Sequence, residues 1–273
     1  MKTLQLNPNT TIPSLGFGTW QLTGKACQQA VATALAAGHR HLDTADRYGN
    51  HADVAAGIAD SGIKRSDIFL TTKVWRDQLH AADLQRAAER FLQELQTEYL
   101  DLLLIHWPNR DIPIDETLGA MASLQKQGII KSFGVSNFTI AHLKQALETG
   151  HTIAINQVEF HPSLNQEELL AFCAEHDIRI TAYSPIAQGA DLQLPIIQTL
   201  AEKYQRSPAQ VILNWLLSKD MIVIPRSSKP ERIADALLAQ DWQLEDEDVA
   251  AIDAIGESNR IVCPPFNEFD FSA

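Results

Sequence analysis

Side chains able to move protons or hold charge stand at the ends of short apolar runs. Asp43 and Tyr48 lie in Asp-Thr-Ala-Asp-Arg-Tyr, Lys73 follows Phe69-Leu-Thr-Thr, and His106 follows Leu-Leu-Leu-Ile. A carboxylate and a phenol five residues apart cannot share a helix face; a strand end and the loop beyond it can turn both into one pocket. Singly, each residue has a bland reading: aspartate in a turn caps N–H groups, and tyrosine or histidine packs. Together they suit reduction of a carbonyl, in which hydride reaches carbon and a proton must reach oxygen. Tyr48 is the natural acid, with an ordinary pKa of about 10. A lysine cation about 4 Å away, at an effective dielectric of about 20, favours the phenolate by roughly 4 kcal/mol, so Lys73 is expected to lower the Tyr48 pKa. A buried lysine needs a carboxylate, which Asp43 can supply. His106 would donate a hydrogen bond to the substrate oxygen.

Such a set works only if the strand ends meet. From Leu15 onward the apolar runs are Leu15–Thr19, His41–Thr44, Ile68–Val74, Leu100–His106, Ile130–Ser136, Ile153–Glu159, Ile178–Ser184 and Met221–Pro225. Segments with helical spacing alternate with them, among them Gln28–Ala37, Leu84–Leu95, Thr117–Lys126 and Leu169–His176, and Ser207-Pro208 is a cap followed by proline that opens a helix through Ser218. Strict alternation over eight units predicts the α/β class and a closed (β/α)8 TIM barrel, in which polar strand ends share the rim where active sites of this fold lie. Residues 2–15, which alternate around Asn7-Pro8-Asn9, predict an N-terminal β-hairpin, and residues 1–273 are expected to form a single barrel domain. The Pro- and Phe-rich tail after Glu257 reads as a loop over one barrel mouth.

The formal net charge of -12 argues against nucleic acid or an anionic membrane as partner. Cys27, Cys173 and Cys263 are far apart, with no C-x-x-C, so neither a disulfide framework nor a zinc site is readable. His39-Arg-His41 is a close histidine pair with no third ligand in sequence, and no metal is expected. Neither a signal-peptide core nor a membrane-spanning apolar run is present, so a cytoplasmic monomer is the expectation. Trp20, Trp75 and Trp107 each follow a polar strand end and are expected to wall a substrate pocket with Tyr48 and His106.

The chain resembles the aldo-keto reductase superfamily through Gly16-Phe-Gly-Thr19, Asp43-Thr-Ala…Tyr48, Thr72-Lys73, His106-Trp-Pro108, Gly134-Val-Ser-Asn-Phe138, Asn156-Gln157, Ala182-Tyr-Ser-Pro185 and Ile224-Pro…Arg232. Its length and short tail are most similar to those of the bacterial 2,5-diketo-D-gluconate reductases. The resemblance implies reduction of small aldehydes and ketones, including α-dicarbonyls and keto-sugar acids, with NADPH as cofactor. It implies Tyr183 stacked on the nicotinamide, with Ser136, Asn137 and Gln157 bonding its carboxamide. Gly18, Thr19, Trp20, Asp43, Ser184, Ser228 and Asp235 join the cofactor site on the same ground. Arg226, Ser227, Lys229 and Arg232 form a basic island just after the eighth strand, where barrels commonly bind phosphate, and point to the 2′-phosphate. Three positions depart from the family's usual pattern: Arg226 for lysine, Ala236 for asparagine and His51 for glutamate. Two other readings stay open at this level. Lys73 at a barrel strand end could form a Schiff base, as in an aldolase-like lyase, and the fold could serve a nucleotide-sensing protein without turnover. A Rossmann fingerprint is absent, because the third glycine after Gly16-x-Gly18 would fall at Gln21.

Overall fold

The computed structural model describes residues 2–256 and 259–271; Met1, Glu257, Ser258, Ser272 and Ala273 lie outside the described residues. The chain opens with an antiparallel hairpin, β1 (Thr3–Asn7) and β2 (Thr10–Pro13), whose turn is closed by the Asn7 side chain accepting from the Asn9 N–H at 3.0 Å. Alternation sends Leu4, Leu6 and Ile12 inward, where they pack against Phe69, Leu102, Ala154 and Ile222. The hairpin thereby plugs the end of the barrel opposite the strand C-termini.

Eight strands follow: β3 (Phe17–Gly18), β4 (His41–Asp43), β5 (Phe69–Val74), β6 (Leu100–Ile105), β7 (Ile130–Ser136), β8 (Ile155–Glu159), β9 (Arg179–Tyr183) and β10 (Ile222–Val223). They pair in parallel, each with its neighbour in chain order. A parallel bridge from Leu15 to Val223, with Gly18 N–H donating to Pro225 C=O at 2.9 Å, joins the last strand to the first. Every predicted run appears as a strand. Leu15–Thr19 and Met221–Pro225 contract most, because that seam is held by a few isolated bonds rather than by a continuous ladder.

Between the strands lie α1 (Gly24–Ala37), α2 (His51–Ser61), α3 (Ala81–Glu94), α4 (Ile114–Lys126), α5 (Ile140–Glu148) and α6 (Glu167–Glu175). After β9 come two helices, α7 (Pro195–Tyr204) and α8 (Pro208–Ser218), and after β10 come α9 (Pro230–Leu237) and α10 (Asp246–Asp253). The predicted cap of α8 forms: Ser207 Oγ accepts from Gln210 N–H at 3.1 Å, with Pro208 at the first helical position. The apolar stripes of these helices and the outward faces of the strands make the main core. Among the described residues no helix is long and apolar enough to cross a membrane.

The tail runs over the C-terminal mouth, as its composition suggested. Glu159 at the end of β8 accepts from the N–H groups of Ile261 and Val262, both at 2.8 Å, and buried Glu268 pairs with Arg76 at 2.9 Å. Glu159 also lies 3.0 Å from His161, whose other nitrogen is 3.0 Å from Asp191 in the loop after β9. Both segments that cover the mouth are thus tied to one buried charge cluster.

Candidate active site

The turn that presents Tyr48 is fixed at both ends. After Asp43, the chain makes one short turn of 3-10 helix, Asp46–Tyr48, stopped by Gly49 in the left-handed region at φ 63°. Asp46 accepts from Arg90 at 2.8 Å and Gln78 at 3.0 Å, while buried Asn50 accepts from Thr44 Oγ1 at 2.7 Å and donates to the Leu22 carbonyl at 2.9 Å. His51, at the start of α2, bridges Glu94 and Thr72, each at 2.8 Å, and so ties α2 to α3 and to β5 beside Lys73.

Lys73 is fully buried. Its ammonium meets Asp43 Oδ1 at 2.6 Å, the Thr44 carbonyl at 2.8 Å and the Tyr48 hydroxyl at 3.4 Å, which uses all three of its donors. The His106 ring stands edge-on to Tyr48 at 5.7 Å between centroids and to Trp75 at 5.2 Å. The four side chains singled out in the sequence therefore meet on one rim. Burial, helped by the Lys73 charge, lowers the His106 pKa well below the ordinary value, so the ring is neutral and keeps an N–H to donate.

The Tyr48 pKa corrects the expectation from charge alone. It is raised well above 10, by desolvation first and by the Asp43 charge second. Asp43 lies closer to Lys73 than the phenol does and offsets part of the cation's field there. Desolvation also lowers the Lys73 pKa, opposed by Asp43.

A cleft of about 770 Å³ runs across the mouth. Of the predicted residues, Gly18, Trp20, Asp43, Tyr48, Trp75, His106, Trp107, Ser136, Asn137, Gln157, Tyr183, Ser184, Arg226 and Arg232 line it. Ser227 and Asp235 line an adjoining cavity of about 320 Å³ together with both arginines, and Ala236 lies there too. The Asp235 carboxylate accepts from Ser207 Oγ at 2.7 Å, at the start of α8. Thr19, Lys73 and Ser228 line neither space. Thr19 donates to the Asp43 carbonyl at 3.0 Å, Lys73 sits behind Asp43 and Tyr48, and Ser228 is solvent-exposed.

One hydrogen-bond chain links the strand ends. Tyr183 OH donates to Asn137 Oδ1 at 2.8 Å, Asn137 Nδ2 to the His106 carbonyl at 2.9 Å, and Ser136 Oγ to the Gln157 carbonyl at 2.8 Å. Gln157 Nε2 donates to Asp43 Oδ2 at 2.8 Å. Asn137 and Ser184 are held at φ 63° and 47°, a left-handed conformation unusual for residues other than glycine. At the far end, the Arg226 guanidinium donates to Gln21 at 2.7 Å rather than to a carboxylate. Gly18 floors the passage between the two ends; a Cβ there would come within 3.1 Å of the Ile224 carbonyl. Amide groups and an aromatic face at one end, and two arginines at the other, fit a nicotinamide dinucleotide bearing phosphate.

Several lining residues were not legible in the sequence. Phe266 of the tail packs edge-on against Trp75 at 5.3 Å and Trp107 at 5.5 Å, closing the tryptophan wall. Ile186, Gln188 and Leu192 of the loop after β9 also face the cleft. Neither segment has a periodicity that could have assigned a direction.

Comparison with known proteins agrees with this architecture. The Aldo/keto reductase family model matches residues 14–257. A methylglyoxal reductase, DkgB, of Escherichia coli O157:H7 is 38% identical over 257 residues, covering 93% of this chain and 96% of that protein. A solved structure of a putative 2,5-diketo-D-gluconic acid reductase B is 35% identical with a TM-score of 0.92, covering 96% of this chain and 94% of that one. The Bombyx mori aldo-keto reductase in complex with NADP is 33% identical with a TM-score of 0.90, covering 96% and 95%. A family match that runs from the first barrel strand past the last helix, over the rim where Asp43, Tyr48, Lys73 and His106 meet, makes this chain an oxidoreductase of the aldo/keto reductase family.

Proposed function

We propose that this protein reduces small aldehydes and ketones, α-dicarbonyls and keto-sugar acids included, to alcohols with NADPH, and that Tyr48 gives the proton. The observation that carries the reading is the contact of Tyr48 OH with Lys73 Nζ at 3.4 Å, beside His106, in the same cleft as the amide chain and the two arginines. The nicotinamide would rest on Tyr183 with its carboxamide among Ser136, Asn137 and Gln157, and Arg226, Ser227 and Arg232 would take the 2′-phosphate. Gly18, Thr19, Trp20, Ser184, Ser228 and Asp235 complete the proposed cofactor surroundings. NADPH, when bound, supplies the hydride.

His106, neutral, donates to the carbonyl oxygen and orients it toward Tyr48. Tyr48 then gives its proton to that oxygen. An alkoxide is a stronger base than a phenolate, so a phenol with a raised pKa still transfers its proton downhill. Lys73 stabilises the phenolate left behind, and Asp43 holds the ammonium charged and aimed. A Schiff-base lyase finds no support in this geometry, because Lys73 Nζ is fully engaged and sits behind the cleft wall.

Two expectations follow from the cleft. With Phe266 capping a wall of Trp75 and Trp107, NADPH oxidation should be seen with methylglyoxal, an aromatic aldehyde and a keto-sugar acid, and a steroid ketone should be the poorest substrate. Inert small carbonyls in the presence of tightly bound NADPH contradict the proposal. Arg232→Ala should weaken NADPH binding by about tenfold, a charge-assisted contact discounted for exposure, and should barely change NADH binding. Equal losses for the two cofactors, measured by fluorescence titration, remove the 2′-phosphate role.

A further inference from the structure

We infer that Arg47 is a specificity-determining residue that binds a carboxylate carried by the substrate at a distance from its reacting carbonyl. The inference rests on the carbonyl-reductase reading above and narrows its substrate class. Arg47 lies between Asp46 and Tyr48 in the turn that presents the phenol. Its side chain is exposed, yet it lines the cleft, with the guanidinium carbon 5.4 Å from the centre of the Trp75 ring. Trp75 in turn stands edge-on to His106. The cation is therefore one aromatic ring away from the group that would hold the carbonyl oxygen.

Charges nearby leave Arg47 uncompensated. Asp46, the adjacent carboxylate, is engaged by Arg90 and Gln78, and among the described residues Arg47 forms no ion pair. Asp43 is the one acidic residue among those described along the cleft, and it is paired with Lys73. Arg226 is committed to the opposite end through Gln21. The cation–π contact with Trp75 places the guanidinium at the cleft wall, and among the described residues none accepts a hydrogen bond from it, so its donors are available to a ligand. In a chain of net charge -12, anions are repelled in general, and a cation without an ion pair at this end of the cleft offsets that locally. Trp75, Trp107 and Phe266 supply apolar surface for the carbon chain between carboxylate and carbonyl. A single guanidinium matches one carboxylate bidentately, and among the described residues the other cations that line the cleft, Arg226 and Arg232, belong to its opposite end, away from any dianion held at Arg47.

The test compares kcat/KM with NADPH for succinate semialdehyde, adipate semialdehyde and their methyl esters, at low and high ionic strength. The parent and the Arg47→Gln and Arg47→Lys proteins are measured side by side. At least one acid should exceed its own ester in the parent by about three- to tenfold at low salt, a preference of the size expected for an exposed charge-assisted contact. That ratio should fall toward one in Arg47→Gln, be partly kept in Arg47→Lys, and shrink as salt is raised. An acid-to-ester ratio that is the same in parent and Arg47→Gln overturns the assignment. A larger, Arg47-dependent preference for glyceraldehyde 3-phosphate over glyceraldehyde overturns the carboxylate in favour of phosphate. If no aldehyde oxidises NADPH, the reductase reading itself has failed. Quenching of tryptophan fluorescence by adipate then decides the role of Arg47: weaker quenching in Arg47→Gln supports it, and equal quenching overturns it.

Discussion

Tyr48→Phe should lower kcat by about 10² to 10⁴-fold while NADPH binding stays close to that of the parent, because the substitution removes only the transferable proton. The ring remains, so its edge contact with His106 is preserved. Single-turnover reduction of methylglyoxal, with cofactor affinity measured separately, checks both halves. Turnover near the parent's would show that another group protonates the alkoxide. The pH profile of the parent enzyme is a second reading of the same idea. Tyr48 is held protonated well above its ordinary value and His106 neutral well below its own. Raised and lowered in those directions, neither group titrates between about pH 6.5 and about pH 10, and kcat for reduction should be flat across that range. A fall centred near neutral pH would place a titrating histidine or a depressed phenol in the mechanism.

Lys73→Met should cost stability as well as activity. Asp43 is 1% exposed, and with the ammonium gone its partner at 2.6 Å is lost, which leaves Gln157 on the other oxygen. Breaking a buried pair by removing one member costs about 3–5 kcal/mol, enough in a domain of this size to lower Tm by about 10 °C. kcat should fall too, since no cation remains to stabilise the phenolate. The double variant Asp43→Leu/Lys73→Met separates the effects: stability should recover in large part, because the uncompensated charge is gone, and activity should not. If thermal unfolding of Lys73→Met matches the parent, the ion pair is not the strut that the geometry describes.

The barrel could be read from the sequence because its signals are local. Apolar runs such as Ile130–Ser136, the turn at Asn7-Pro8-Asn9 and the Ser207-Pro208 cap each specify backbone geometry through neighbours a few residues away, and the same alternation dictates parallel pairing. Asp43, Lys73 and His106 could be singled out for a related reason: a polar residue that ends a buried strand points to the rim whatever the loops do. The tertiary structure decided what depends on distance and on water. The direction of the Tyr48 pKa turned on desolvation and on Asp43 lying nearer the lysine than the phenol does, neither of which spacing along the chain reveals. Phe266 gained its place against two tryptophans only because Glu159 and Glu268 anchor an otherwise aperiodic tail. Asp46 and Arg47 are neighbours in the chain with nothing in their spacing to assign either a partner, and folding sent them apart, giving the carboxylate to Arg90 and the guanidinium to the cleft.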